Sequence, residues 1–413
     1  MHKVNKLVCA IALGVLLGAS ATTASANSRE FVYVESNAQG ANQNSIFAFQ
    51  RNPDGTLAQI PGSPFLTGGA GVQDKNVEFG PYDTDQNIVI DKHRRLLFAV
   101  NSGSDSIAVF HINSDGSLKT VAGSPFPSGG ESDGVGPVSL GLSGDTLFVA
   151  NQAGDPGRPT TVLPSYTAFH VDLDGTLRPV DDSTVSVAFL TSPSQALVVP
   201  NRNLMFGADF LGGLLQSFQF DGEGRLRQRP PTALPASEFA GIPAPRAVLG
   251  LITHPRLPLL YVGMPTVSRM AVYRFDDRGR LTFVRSVPNS GIAICWLRPN
   301  KEGTRLYTSN QGSFTPTSTI SVYDLSNPEA PKEIQSIAPL GTSNATQIEL
   351  SGDGKNLYVV SQHFNTITPP NQGKELHVFT IAADGSLSEN VLPVPLPVPD
   401  GTQPQGVAVF TDN

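Results

Sequence analysis

The strongest constraint in this chain is a short phrase that recurs seven times. Each copy opens with an apolar run ending in a polar residue. The clearest are Leu97-Phe98-Ala99-Val100-Asn101, Leu147-Phe148-Val149-Ala150-Asn151 and Leu306-Tyr307-Thr308-Ser309-Asn310. A second run such as Ser106-Ile107-Ala108-Val109-Phe110 follows, then an Asp-Gly turn and a third apolar run. Weaker copies begin at Val32-Tyr33, Met205-Phe206, Leu260-Tyr261 and Leu357-Tyr358. One such unit cannot bury both of its apolar faces, so a repeat of this kind specifies like modules packed side by side. Length alone, 413 residues, would admit two or three domains; the repeat assigns all seven copies to one array.

Each copy divides into four strands, A to D. β-Branched and aromatic residues alternate between clusters of Gly, Asp and Asn, which is the strand signal. In the second copy the strands fall at 86–91, 96–101, 106–112 and 118–124. The C–D turns read Asn52-Pro53-Asp54-Gly55, Asn113-Ser114-Asp115-Gly116, Asp172-Leu173-Asp174-Gly175 and Ala382-Ala383-Asp384-Gly385, with variants at Asp221-Gly222-Glu223-Gly224, Asp276-Asp277-Arg278-Gly279 and Asn327-Pro328-Glu329-Ala330. Glycine supplies a positive φ there, and Asp or Asn bonds its own backbone. These turns resemble calcium loops without the late bidentate Glu, so we read them as turns. Gly55 and Gly385 stand six steps apart, about 55 residues per repeat. The first repeat starts at a B strand, and the chain ends on an A strand around Gly406-Val407-Ala408-Val409-Phe410. Joined, the two ends complete a ring, and removing the last ten residues would remove a structural strand. The expected fold is all-β, a seven-bladed β-propeller of four-stranded antiparallel blades, closed by the C-terminal strand joining the N-terminal blade.

Residues 1–26 read as a signal peptide: Lys3 and Lys6, the apolar run from Leu7 to Leu17, then Ala24-Ser25-Ala26 as a cleavage site. Residues 27–413 are the propeller. Cleavage would take the net charge from −7 to −9 and leave a protein secreted or periplasmic, with no membrane span. The acidic balance, with no basic run, argues against nucleic acid. Cys295 would be the one remaining cysteine, and its apolar run Ile292-Ala293-Ile294-Cys295-Trp296 reads as core.

Loop lengths point to one face. The long connections, 66–84, 127–136, 152–164, 230–247 and 362–373, are all B–C or D–A, and long loops on a rigid scaffold carry function. The D–A side offers Glu78, Asp83, Asp85, Glu131, Asp133, Glu238, Arg246 and Gln405. The B–C side offers Asn101, Asn151, Arg158, Asp209, Asn310 and His363. Asn101, Asn151 and Asn310 occupy one column after strand B, where asparagine either caps the strand or faces a ligand. Gln195 and Gln347 are expected to line the channel from strand A. Arg246, His363 and Asp209 are the candidate catalytic groups; Gln195, Gln347, Asn151, Asn310 and Gln405 are the candidate ligand-binding groups. No Gly-x-Ser-x-Gly, His-Glu-x-x-His or Cys-x-x-Cys occurs, and neither metal nor cofactor is expected.

The phrases Leu-Phe-Val-Ala-Asn, Ser-Ile-Ala-Val-Phe and Asp-Gly-Thr-Leu, with Gly62-Ser63-Pro64-Phe65 and Gly123-Ser124-Pro125-Phe126, resemble the YVTN-type seven-bladed propellers. Among these, the chain is similar to the lactonase family, which includes 6-phosphogluconolactonase-like proteins and carboxymuconate cyclases. The resemblance covers essentially the whole chain after the signal. The family's lactonases carry Gly-Pro-Arg-His before a strand A and a Glu after the following strand B. Here Ala244-Pro245-Arg246-Ala247 keeps Pro and Arg, and the Glu position falls at Pro265. The resemblance implies a hydrolase or cyclase acting on a lactone or carboxylated small molecule at the channel mouth, and the signal peptide would make it an exported one. Arg246 would hold a carboxylate or oxyanion, and His363 or Asp209 would move a proton. The alternative on the same scaffold is a non-catallytic propeller that binds a ligand or a protein partner.

Overall fold

The computed structural model describes Met1 and residues 28–72, 84–130, 134–154, 158–188, 191–243, 246–312, 318–341, 344–362 and 373–412. These form seven antiparallel sheets in a ring, each with four strands in the order A-B-C-D. The innermost A strands, from blade one to blade seven, are Gln405–Asp412, Ile88–Asp91, Pro137–Ser143, Leu197–Val198, Leu249–Thr253, Ile294–Pro299 and Asn344–Leu350. Helical structure among the described residues is limited to two short 3-10 turns, Ala236–Phe239 and Pro265–Val267. None of it is long and apolar enough to cross a membrane. The expected signal segment lies outside the described residues.

The ends close the ring as the repeat requires. The first strand, Arg29–Glu35, pairs with Gln405–Asp412 in the register Phe31 to Phe410. Arg29 and Arg95 both reach Asp412, and Arg95 lies over the Phe410 ring at 4.7 Å.

Alternation along the B and C strands sends side chains to both neighbouring blades, so the core is a set of layers between blades. Phe31, Tyr33 and Ile46 of blade one pack on Leu97, Ala99 and Phe110 of blade two, and Val32, Val34 and Phe47 pack the other way, on blade seven. Tyrosines of strand B add a polar latch. Tyr33 donates to the Gly116 carbonyl at 2.9 Å, Tyr307 to Gly385 at 3.2 Å, and Tyr261 to Pro328 at 2.9 Å, each in the C–D turn of the next blade. Burial raises all three phenols; Tyr307 is pushed up to about 12.

The C–D turns form as expected. Gly55, Gly116, Gly175, Gly224, Gly279 and Gly385 all have φ between 77° and 88°. Asp54, Asp115 and Asp384 each accept the N–H two residues on, at 2.9–3.0 Å.

Strand D departs from expectation. In blade two it covers Leu118–Thr120, breaks, and resumes as Phe126–Pro127 on strand C. Pro125 has no N–H for the ladder, and Ser124 Oγ instead accepts the Val109 N–H at 2.8 Å. Ser63 does the same for Ala48 in blade one, at 2.8 Å. Blades three, four and seven break strand D in the same way without Gly-Ser-Pro-Phe, and blades five and six keep longer D strands, Leu281–Pro288 and Lys332–Ile337.

Candidate functional site

The seven A strands surround a central channel, and the chain itself fills part of it. Ahead of strand A of blade two, Thr84 and Asp85 are fully buried, and Gln86 has a φ of 64°. This segment draws bonds from around the ring. The Thr84 carbonyl accepts from Trp296 Nε1 at 2.7 Å and Gln347 Nε2 at 2.9 Å, and its hydroxyl accepts from Gln405 Nε2 at 2.7 Å. Gln195 Nε2 donates to Gln86 Oε1 at 2.8 Å and to the Leu251 carbonyl at 2.9 Å, with a longer bond of 3.3 Å to Asp85. Gln86 turns its own carbonyl to the Leu140 N–H at 2.9 Å. Gln195, Gln347 and Gln405 therefore do face the channel, and what they meet in this structure is the chain's own segment.

Arg298 anchors the same segment. Its guanidinium makes two 3.0 Å bonds to the carboxylate of Asp85 and one of 3.0 Å to Glu349. Burial works to lower the Arg298 pKa, but Asp85 and Glu349 outweigh it and hold the group above its ordinary value. The paired geometry offsets the cost of taking these charges out of water. Arg298 and Trp296 were not among the sequence candidates. The available signals were an arginine inside the apolar run Ile294–Pro299 and the single tryptophan of the chain.

The asparagine column lies inside the blades. Asn101, Asn151 and Asn310 are fully buried. Asn310 donates to Thr319 and Ser321 of strand C at 2.9 and 2.8 Å, and Asn151 to the Ser128 carbonyl at 3.3 Å. Asn101 accepts from Thr67 at 2.6 Å. Blade seven replaces this tie with a serine and a histidine. Ser361 lies 3.0 Å from His377 Nε2, and His377 Nδ1 lies 2.7 Å from Glu389. The distances match a nucleophile, base and acid relay. However, Ser361 and His377 are fully buried, and Ser361 also donates to the Gly373 carbonyl at 2.9 Å. The set ties strands B and C together, as Asn310 and Ser321 do in blade six.

The next residue after that column forms a second ring. Five members are polar and buried: Asn37, Ser102, Gln152, Gln311 and Gln362. Four of them clamp a connection. Asn37 donates to the Val72 carbonyl, Ser102 to Pro137, Gln152 to Ser192 Oγ and Gln362 to Pro404, at 2.6–3.0 Å. In blades four and five the position is Phe210 and Pro265, both half-buried.

Asp209 and Arg246 come together at that break in the ring. Asp209 Oδ1 accepts the N–H groups of Ser192 and Gly212 at 2.8 and 3.0 Å, while its buried Oδ2 has no hydrogen-bond partner. Burial raises its pKa against those two bonds. A Cβ on Gly212 would strike Asp209 Oδ2, and one on Gly213 would strike the Arg246 carbonyl at 2.5 Å. These two glycines let the carboxyl and the arginine backbone approach from opposite sides. The Arg246 side chain is exposed and lies 5.8 Å from the Phe239 ring centre. Glu238 and Arg269 pair beside it at 3.0 Å. Arg158, another candidate of this face, is held by Asp105 at 2.8 Å. His363, Glu78, Asp83, Glu131 and Asp133 lie outside the described residues.

A cavity of about 500 Å³ opens on the opposite face, between the turns of blades six and seven. Its Arg305 is already held by Asp324 at 2.7 Å and by the Asp384 carbonyl at 2.8 Å.

No family model matches this chain, and no curated protein does. Solved structures share its fold. A periplasmic gluconolactonase from Pseudomonas aeruginosa superposes with a TM-score of 0.66 at 15% identity, over 94% of this chain and 100% of that one. A candidate 6-phosphogluconolactonase from Bacteroides uniformis gives 0.67 at 14%, over 93% and 99%. A protein from Lactobacillus plantarum gives 0.67 at 14%, over the same shares. The seven-bladed propeller fold is thus common to all of them.

Proposed function

We propose that this chain is a lactonase-like propeller, exported by its N-terminal segment, that hydrolyses a lactone between blades four and five at the face of the B–C and D–A loops, the upper face, opposite the lower face of the A–B and C–D turns. One observation carries the reading: Arg246, the arginine shared with the family's Gly-Pro-Arg-His segment, is exposed on that face with no ion-pair partner among the described residues. An exposed guanidinium suits a carboxylate or the oxyanion of an opening lactone. Water would attack the lactone carbonyl, Arg246 would stabilise the negative oxygen, and the ring oxygen would leave with a proton. Asp209 is fully buried. Its Oδ1 shapes the Gly212-Gly213 turn, and Asp209 or His363 would move the proton, as in the sequence reading.

Hydrolysis of a panel of sugar, aliphatic and aromatic lactones, followed by pH-stat titration, tests this. Arg246→Ala should lower kcat/KM for the preferred lactone by about 100-fold, the scale of a lost oxyanion contact, with an unchanged thermal midpoint. Turnover indifferent to that change would overturn the site. The second reading, a propeller that binds without reacting, draws on Pro265, which stands where the family's lactonases carry Glu.

A further inference from the structure

We infer, resting on the site proposed above, that its ligand is an amphiphilic carboxylate or lactone, with a hydrocarbon or aromatic substituent, rather than a polyhydroxylated sugar lactone. Recognition of a sugar requires several polar groups free to bond its hydroxyls. Among the described residues of that mouth, four of those groups are already engaged: Asn37, Ser102, Gln152 and Gln362 are buried and donate to neighbouring connections, and the unpartnered Gln311 Nε2 and Gln152 Oε1 belong to blades six and three, away from the two blades that flank Arg246. The position turns apolar and opens to solvent in the two blades that flank Arg246, at Phe210 and Pro265. Phe210 packs against the core layer that holds Leu249 and Trp296. Leu211 and Ile242 are 53% and 39% exposed. Leu211 immediately precedes the glycine pair that receives the Arg246 backbone. Ile242 donates its N–H to the carbonyl of Phe239, the ring beneath the guanidinium.

Arg269 is neutralised by Glu238, so one cation without an ion-pair partner among the described residues, beside exposed apolar side chains, matches a molecule with an anionic head and an apolar tail. The cation fixes the carboxylate, and the apolar side chains reward removal of hydrocarbon from water. The same side chains cannot compensate sugar hydroxyls for the water they would lose.

Calorimetric titration of the protein with two ring-opened acids, 5-hydroxydecanoate and gluconate, separates the alternatives. The decanoate should bind about tenfold tighter or better, the scale set by a few methylenes against a half-open apolar surface. Phe210→Asn should weaken the decanoate about fivefold or more and leave gluconate unchanged, while Arg246→Ala should weaken both. Leu211→Asn, at an exposed position that tolerates polarity, serves as the second variant should Phe210→Asn disturb the fold. Gluconate binding as tightly as the decanoate, with neither apolar substitution having an effect, would overturn the inference, and the site would still stand if Arg246→Ala weakened both acids. Binding that ignores Arg246→Ala, or no binding of either acid, would overturn the site and the inference together.

Discussion

The lower face and the central channel of this propeller are built on opposite principles. On the lower face one local solution is repeated: an Asp or Asn, then a glycine near φ 80°, joining strands C and D in six blades. The channel is built from contacts between blades. Trp296 and Arg298 from blade six and Gln195, Gln347 and Gln405 from blades four, seven and one all converge on Thr84, Asp85 and Gln86. The turns are rules that any blade can obey alone. The channel is a single agreement among blades far apart in the chain, and it buries the Asp85–Arg298 pair.

The sharpest way to break that comparison is to remove Arg298. Arg298→Met leaves the fully buried Asp85 without its countercharge and should cost about 3–5 kcal/mol in urea unfolding. Replacing both, with Asp85→Leu added, should recover most of the loss. A single substitution costing no more than a surface change would make the channel as modular as the turns.

Glu35 tests the buried side at a second point. It is 2% exposed, accepts from Asn44 at 2.6 Å, and burial pushes its pKa up to about 8, against that bond. The fold holds the protonated form. Its contribution is therefore full below about 4.5, the ordinary carboxyl value, and is lost as pH rises towards about 8. Glu35→Gln should remove a slope of up to about 1.4 kcal/mol per pH unit across that window. Parallel stability–pH curves for the two proteins would show Glu35 to be ionised in the fold.

The turns are sharpened by a paired measurement. A Cβ on Gly55 meets nothing within 4 Å, whereas one on Gly116 would strike Phe31 at 2.4 Å and Ile60 at 2.6 Å. Both glycines are left-handed, at φ 87° and 82°. Gly55→Ala should cost about 1 kcal/mol for the backbone alone, and Gly116→Ala about 3 kcal/mol with the added overpacking. Equal costs would mean that the turn is purely local in both blades.

Blade number, strand order, turn glycines and ring closure were legible in the sequence, because each follows from a pattern within one repeat or from the strands at the two ends. The sequence pattern carries strand D of blade two on to Ser124, because Val121 and Ala122 continue it past Thr120, whereas the strand ends there and the Ser124 hydroxyl takes up the Val109 N–H. The candidate site was legible only as a face. Sequence named Arg246 and Asp209, and it could not show that Asp209 is buried while Arg246 is exposed, because that difference depends on how Gly212 and Gly213 seat one connection on the next.

What the sequence determined by itself is the architecture, since period-two alternation and Asp-Gly turns act over a few residues and repeat. What only the tertiary structure decided is the use of the polar residues. Gln195, Gln347 and Gln405 hold the chain's own Thr84–Gln86 segment, and His377 ties two strands. The reason is that a buried polar side chain must find a partner. In a ring of seven blades, the partner is supplied by whichever distant segment the closed fold brings within about 3 Å.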